Sequence, residues 1–406
     1  MSNSYDLIII GGGPAGLAAG IYGGRAKLRT LIINKGTIGG MVDTTREIVN
    51  YPGYIHTSGP DLMSDFKKHA ESFGVEFLKD EVVSTELSQD LKKVTTKKKK
   101  EFYGKAVIIA AGTQPRLLNI PGEKELRGSG VAYCATCDAE FFQDEDVVVV
   151  GSGDQAIEEG MFITKFARKV TVIVLHDEGI LDCNKVSAEK AFQNEKMEFV
   201  WNSTLEAVLG EENVEGVQVK NLKTGGSSVL PCQGVFFFVG MIPATEFLQN
   251  SGIEMDRRGY IPVNDLMETN LPGIYAVGDN RVKYLRQVVS AAGDGATAAV
   301  AAERYIEELE AFQKNILHSE KKVLLAFFNA ANTASLEFTV VMEELIQEHS
   351  DMYKLVKVDM ATKKSLAEKY GVTNVPAVVM LDKGEKIKEL ECSLDKEILA
   401  EQLGKE

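Results

Sequence analysis

The chain has 406 residues, 44% of them hydrophobic, enough for two or three domains with substantial cores. Its formal net charge of −14 at pH 7 lacks the basic footprint that phosphate recognition needs, which argues against a nucleic-acid partner. No apolar run reaches the roughly 18 residues of a membrane span. Five cysteines, with Cys183, Cys232 and Cys392 isolated, do not suit a secreted disulfide scaffold. A cytoplasmic protein with no signal peptide and one working thiol pair is the expectation.

Residues 5–10 (YDLIII) form a short apolar run ending in glycines, the pattern of a buried parallel strand. A helical pattern follows to Ala26, then a strand over 29–34, which makes a βαβ unit. The basic run 97–100 sits among strand-like segments and reads as the solvated face of a hairpin. A second βαβ unit opens at 146–150 and runs through a helix to a strand over 170–174. Strand-like hairpin segments follow, such as 214–220 before Gly225-Gly226, and an alanine-rich helix is expected over 294–309.

Beyond a charged connector near 310–322, strands are expected over 323–328, 353–359 and 375–381, with helices over 336–349, 363–370 and from Asp395. The fold class is α/β. The expected layout is one nucleotide-binding domain (1–115 and 245–309) with a second inserted (116–244), a linker (310–322) and a smaller C-terminal domain (323–406).

Gly11-Gly12-Gly13-Pro14-Ala15-Gly16 follows a strand and opens a helix, the context in which such glycines let a backbone approach a pyrophosphate. The ribose-binding acid expected at the end of the second strand is missing, because Asn34 stands there. Gly151-Ser152-Gly153-Asp154-Gln155-Ala156 is a second such turn. Between the two lies Cys134-Ala135-Thr136-Cys137-Asp138. Thiols at this spacing can close into a disulfide, an adjacent acid can move the proton of thiol exchange, and a helix start favours the thiolate. A zinc site would need two further ligands, and no second C-x-x-C or paired histidine exists among five histidines, so no metal is expected.

With Gly39-Gly40-Met41, Asn50, Gly112, Asp279 and Arg286-Gln287 in their order, residues 1–310 resemble the low-molecular-weight thioredoxin reductases, and Cys-Ala-Thr-Cys-Asp is the most diagnostic string. The resemblance implies FAD held by Gly11, Gly13, Pro14, Ala15, Gly16 and Asp279, with Asn50, Arg286 and Gln287 against the flavin. Met41 replaces the usual glutamine there. Cys137 would face the flavin, Cys134 would attack a protein disulfide, and Asp138 would be the general acid and base. The implied acceptor is thioredoxin or a thioredoxin-like protein, and the implied assembly a homodimer.

The second fingerprint (Gly151, Gly153, Ala156) would take the nicotinamide cofactor. The family's arginines for a 2′-phosphate are absent from residues 174–182, which carry Asp177, Glu178 and Asp182 instead. NADPH is therefore disfavoured. NADH stays open, since an acid suits a free 2′-hydroxyl, and so does reduced ferredoxin or another flavoprotein, for which 97–100 is a candidate docking patch.

Residues 318–406 resemble thioredoxin, with Pro376 at the place of its cis-proline. The redox site is absent: Asn332 and Ser335 stand where thioredoxin carries its two cysteines. Such a domain would dock a partner rather than carry electrons, which is the alternative reading of the whole chain. Cys392 is its only thiol.

Overall fold

The computed structural model describes residues 3–45, 48–361 and 364–404. Two compact units divide the chain, Met1–Glu303 and Arg304–Glu406.

In the first unit, strand Ser4–Ile10 is parallel to Thr30–Asn34 on one side and to Glu101–Ile109 on the other. Glu76–Lys79 extends one edge, the hairpin strands Lys92–Thr96 and Val82–Glu86 extend the other, and Ile274–Ala276 joins Glu101–Ile109. Leu7, Ile8 and Ile9 have no solvent exposure, as strands covered on both faces require. Each such side chain contributes about 1.5–3 kcal/mol on burial.

A second, all-parallel sheet runs in the order Met197–Val200, Lys169–Ile173, Asp146–Val150, Gly234–Phe237, Val131–Ala132. Antiparallel strands Ser203–Leu209, Gly216–Asn221 and Ser227–Pro231 form a separate sheet, and the short pair Thr113–Pro115 and Met241–Pro243 joins the chain where it leaves and re-enters the first sheet's region. Both sheets carry their glycine turns at the carboxyl ends of parallel strands, where open α/β sheets bind ligands. The run 97–100 is the hairpin turn before Glu101, and Lys97 pairs with Glu81 at 3.2 Å.

The second unit's sheet runs Tyr353–Asp359, Lys322–Phe328, Ala377–Asp382, Glu385–Leu390, with the first pair parallel and the others antiparallel. Val375–Pro376 is cis.

The element bounds that differ most from expectation are those of two helices, while the strand expected over 375–381 spans Ala377–Asp382. The alanine-rich helix spans Val288–Phe312, starting earlier than residue 294, and a π-type turn carries it to Leu317. Much of the stretch expected as connector is therefore helical, in keeping with its glutamate, leucine and lysine content. Helix Thr333–Glu348 starts before residue 336 because Asn332 caps it, its Oδ1 accepting from the Ser335 N–H at 3.0 Å.

Candidate active site

One cleft of about 2190 Å³ gathers most of the expected site residues of the first unit. Gly11, Gly13, Pro14, Ala15, Gly40, Met41, Asn50, Gly112, Asp279, Arg286 and Gln287 line it, together with Cys134, Cys137 and Asp138. Gly16 and Gly39 are not part of the lining; Gly39 opens the neighbouring turn Gly40–Thr44 with its N–H on the Gly12 carbonyl at 2.7 Å, and Gly16 closes the Gly11–Gly16 turn.

That turn requires glycine. Gly11 has φ 113°, and a Cβ on Gly16 would come within 2.0 Å of the Gly11 carbonyl oxygen, so the helix start packs directly on the strand end. Helix Pro14–Arg25 has Gly13 as its N-cap, no capping side chain and no acid in its first turn. Its first N–H groups remain available to an anion. Asn34 is committed to the loop: Gly12 N–H donates to its Oδ1 at 2.9 Å, and its Nδ2 donates to the carbonyls of Gly36 and Thr37.

Several polar atoms lining this cleft lack partners among the described residues, and two of them face the first glycine turn's side of the site. Asp279 Oδ1 and Arg286 Nε are both buried and unbonded. Burial pushes the Asp279 carboxyl above its ordinary range, partly opposed by Lys283 and Arg286. Arg286 lies over the Tyr260 ring at 4.6 Å, and Asn50 Nδ2 donates to Gln287 Oε1 at 3.3 Å. Buried groups left unbonded at the wall of a cleft are suited to meet a polar ligand there. An uncapped helix start with a buried donor and acceptor further along the cleft fits a dinucleotide such as FAD.

Asp294 was invisible to sequence reasoning. From the alanine-rich helix its carboxylate accepts from Gly278 N–H, Arg281 and Lys283, and so pins the loop that carries Asp279. A lone acid among alanines was the only signal.

Cys134 and Cys137 are joined as a disulfide, with Cα atoms 5.3 Å apart. Both are half-buried. Cys134 caps the short helix Ala135–Asp138, and the Asp138 N–H donates to the Cys134 carbonyl at 3.2 Å. The preceding Tyr133 hydroxyl donates to the fully buried Glu123 at 3.1 Å, and Glu123 also accepts from the N–H groups of Leu118 and Asn119. This anchor fixes the strand that presents the cysteines.

The second fingerprint is differently placed. Gly151, Gly153 and Ala156 do not line the cleft, although Gln155, Glu158 and Glu159 of the same helix do. Ser152 Oγ donates to Asp182 at 2.8 Å, His176 Nε2 meets the same oxygen at 2.8 Å, and Asn184 bonds Asp154 through both its N–H and Nδ2. Asp182 therefore sits on the glycine turn itself, where the sequence had placed it only among acids facing a 2′-phosphate. Hydrogen bonds from His176 and Ser152 hold its carboxyl below the ordinary range. Asp177 pairs with Lys223, a cation from the neighbouring hairpin turn that the sequence reading had not connected to this site.

In the second unit, Asn332 and Ser335 form a helix-capping pair, and Ser335 Oγ accepts from Asn329 N–H at 3.1 Å. Cys392 is half-buried, and burial pushes its thiol up to about 11, which disfavours the thiolate. Among the described residues, no three metal-ligating side chains converge and no helix is long and apolar enough to cross a membrane.

A family model described as pyridine nucleotide-disulphide oxidoreductase matches residues 5–295, and one described as thioredoxin matches residues 304–405. The chain is 48% identical over 316 residues to a thioredoxin reductase of Peptoclostridium litorale, an alignment covering 76% of this chain and 99% of that one. With a thioredoxin reductase of Bacillus subtilis the identity is 43% over 314 residues, covering 77% and 98%. Among solved structures, the thioredoxin reductase from Streptococcus pyogenes is similar with a TM-score of 0.68 at 41% identity, covering 76% of this chain and 100% of that one.

Proposed function

The chain belongs to the pyridine nucleotide-disulphide oxidoreductase family, among its thioredoxin reductases, and on that premise we propose how its own residues divide the work. It is an FAD-dependent disulfide oxidoreductase whose protein partner is thioredoxin. The observation that carries the reading is the Cys134–Cys137 disulfide in the wall of the cleft that holds the first glycine turn and the unbonded Asp279 Oδ1 and Arg286 Nε.

The Gly11–Gly16 turn holds the FAD pyrophosphate, while Asp279, Arg286, Asn50 and Gln287 meet its polar groups. FAD, when bound, supplies a two-electron relay between the reductant and the disulfide. Once the pair is reduced, Cys134 attacks the disulfide of thioredoxin to form a mixed disulfide. Cys137 then displaces the thioredoxin thiol and re-forms Cys134–Cys137. Asp138, adjoining the pair, takes and returns the protons of these exchanges. The chain acts as a cytoplasmic homodimer.

For the electron donor, the acids at 177, 178 and 182 and the absence of arginine favour NADH over NADPH. Asp182 bonded onto the second fingerprint supports a second reading, in which the donor is reduced ferredoxin or another flavoprotein. Anaerobic flavin absorbance after addition of NADH, NADPH or reduced ferredoxin, each followed by oxidised thioredoxin, tests both the activity and the donor. A folded protein that takes up no FAD on reconstitution, or reduces no thioredoxin with any donor, overturns the proposal.

A further inference from the structure

Glu159 is a group to which the steps above give no role. It lies on the second fingerprint helix, Asp154–Ile163, with its carboxylate close to the backbone N–H groups of Thr136 and Ala135, which favour its ionised form. Those are the two residues between the redox cysteines. Glu159 Oε2 is buried without a partner among the described residues, and the side chain shares the cleft wall with Cys137 and Asp138. Its neighbour Glu158 is exposed and accepts from Ser187 Oγ at 3.3 Å, so it engages a different segment.

We propose that Glu159 is a positioning residue that binds the Cys134–Cys137 segment through its amide groups and lowers the reduction potential of that disulfide. The inference rests on the proposed function and concerns how strongly reducing the dithiol is.

The physical argument concerns the reduced state. Opening the disulfide produces thiols, and a thiolate there draws stabilisation from nearby N–H donors and positive charge. Glu159 competes for two of those donors and places a negative charge beside the segment. A disfavoured thiolate leaves the dithiol less stable relative to the disulfide. The pair is then harder to reduce and, once reduced, gives up its electrons more readily to thioredoxin. Burial pushes the Glu159 carboxyl up and Glu158 adds to the rise, while the Thr136 and Ala135 N–H groups pull it back toward ionisation.

The test uses the full-length FAD-bound protein equilibrated with mixtures of reduced and oxidised dithiothreitol at pH 7. In each exchange the probe dithiol loses two electrons and two protons and closes to its cyclic disulfide, and Cys134–Cys137 opens to two thiols. Acid quenching, alkylation and peptide mass give the ratio. Glu159→Gln keeps an acceptor but not the charge. It is expected to shift the equilibrium about tenfold toward the dithiol, a rise of about 30 mV, and to speed alkylation of the reduced pair. Glu159→Ala, a second variant, should shift it in the same direction. Glu158→Gln is the control for an unspecific charge effect and should change the ratio less than about twofold. No shift in Glu159→Gln, a shift confined to Glu159→Ala, or an equal shift in Glu158→Gln overturns the inference. If the parent disulfide opens at no dithiothreitol ratio, the proposed function fails instead.

Discussion

Replacing Asp294 by asparagine tests whether a buried ion cluster sets the loop that carries Asp279. The carboxylate accepts from Gly278 N–H at 3.0 Å, from Arg281 Nε and Nη2 at 2.8 and 2.7 Å, and from Lys283 Nζ at 2.7 Å. The side chains of Asp294, Lys283 and Arg281 are 7%, 5% and 18% exposed. Asparagine keeps the shape but leaves two cations facing a neutral amide, and Lys283 has almost no water to turn to. Removing one partner of a buried pair costs about 3–5 kcal/mol. For a unit of this size the melting midpoint should fall by roughly 10 °C. Loosening of the Gly278–Asp279 loop should weaken FAD retention by about tenfold or more, roughly 1.4 kcal/mol.

The pH dependence of this effect has a definite sign. Burial alone would raise the Asp294 carboxyl, but the Arg281 and Lys283 hydrogen bonds outweigh it and hold the carboxyl below its ordinary range. A depressed native pKa contributes stability that is complete above the ordinary carboxylate range and is lost as pH falls through the depressed value. The gap between parent and Asp294→Asn should therefore narrow on acidification into that range. Calorimetry of FAD-free protein across pH, with equilibrium dialysis of FAD, measures both effects. A midpoint within about 2 °C of the parent at pH 7, with FAD affinity unchanged, refutes the reasoning.

Cys134→Ser and Cys137→Ser should each abolish thioredoxin reduction while leaving FAD content at the parent level; substantial turnover by either excludes the sulfur pair as the route. Asp138→Asn should slow turnover by about 10²-fold or more, with flavin reduction by the donor affected less than reoxidation by the disulfide substrate in stopped flow. Equal rates for variant and parent across pH 6 to 9 assign the proton to another group. NADPH should be a poor donor in steady-state assays, and exchange of Leu175 and His176 for arginine should move preference toward it if the second nucleotide site is used at all. Efficient NADPH turnover by the unmodified chain removes the electrostatic argument.

Local patterns were legible from the residues alone. The apolar run before Gly11 forms the expected parallel strand, and the C-x-x-C spacing allows a disulfide because the helical turn that starts at Cys134 brings Cys137 back within reach of it. Pairings between distant segments were not legible. Ser152 and Asp182 stand 30 positions apart, as do Asp154 and Asn184, and no periodicity joins them. Glu159 looked like an ordinary polar residue of a fingerprint helix until the fold laid it against Ala135 and Thr136. The helix beginning at Val288 was read late because Gly293 and Gly295 weaken its first turns as a pattern. Helix Thr333–Glu348 was read late for the opposite reason, since a capping residue starts a helix before its apolar stripe appears.

The capping pair in the second unit bears on how many electrons one chain can hold. With Asn332 and Ser335 committed to the backbone N–H groups of Ser335 and Asn329, the thioredoxin-like unit has no dithiol there to charge. The chain's reservoir is then the Cys134–Cys137 pair together with its flavin, and reducing power cannot accumulate in a tethered carrier while thioredoxin is scarce. Output follows the arrival of free acceptor: each encounter discharges the pair, and an unvisited enzyme stays loaded. A fused thioredoxin with a working pair would buffer such fluctuations. In this protein no such buffer is present at Asn332 and Ser335.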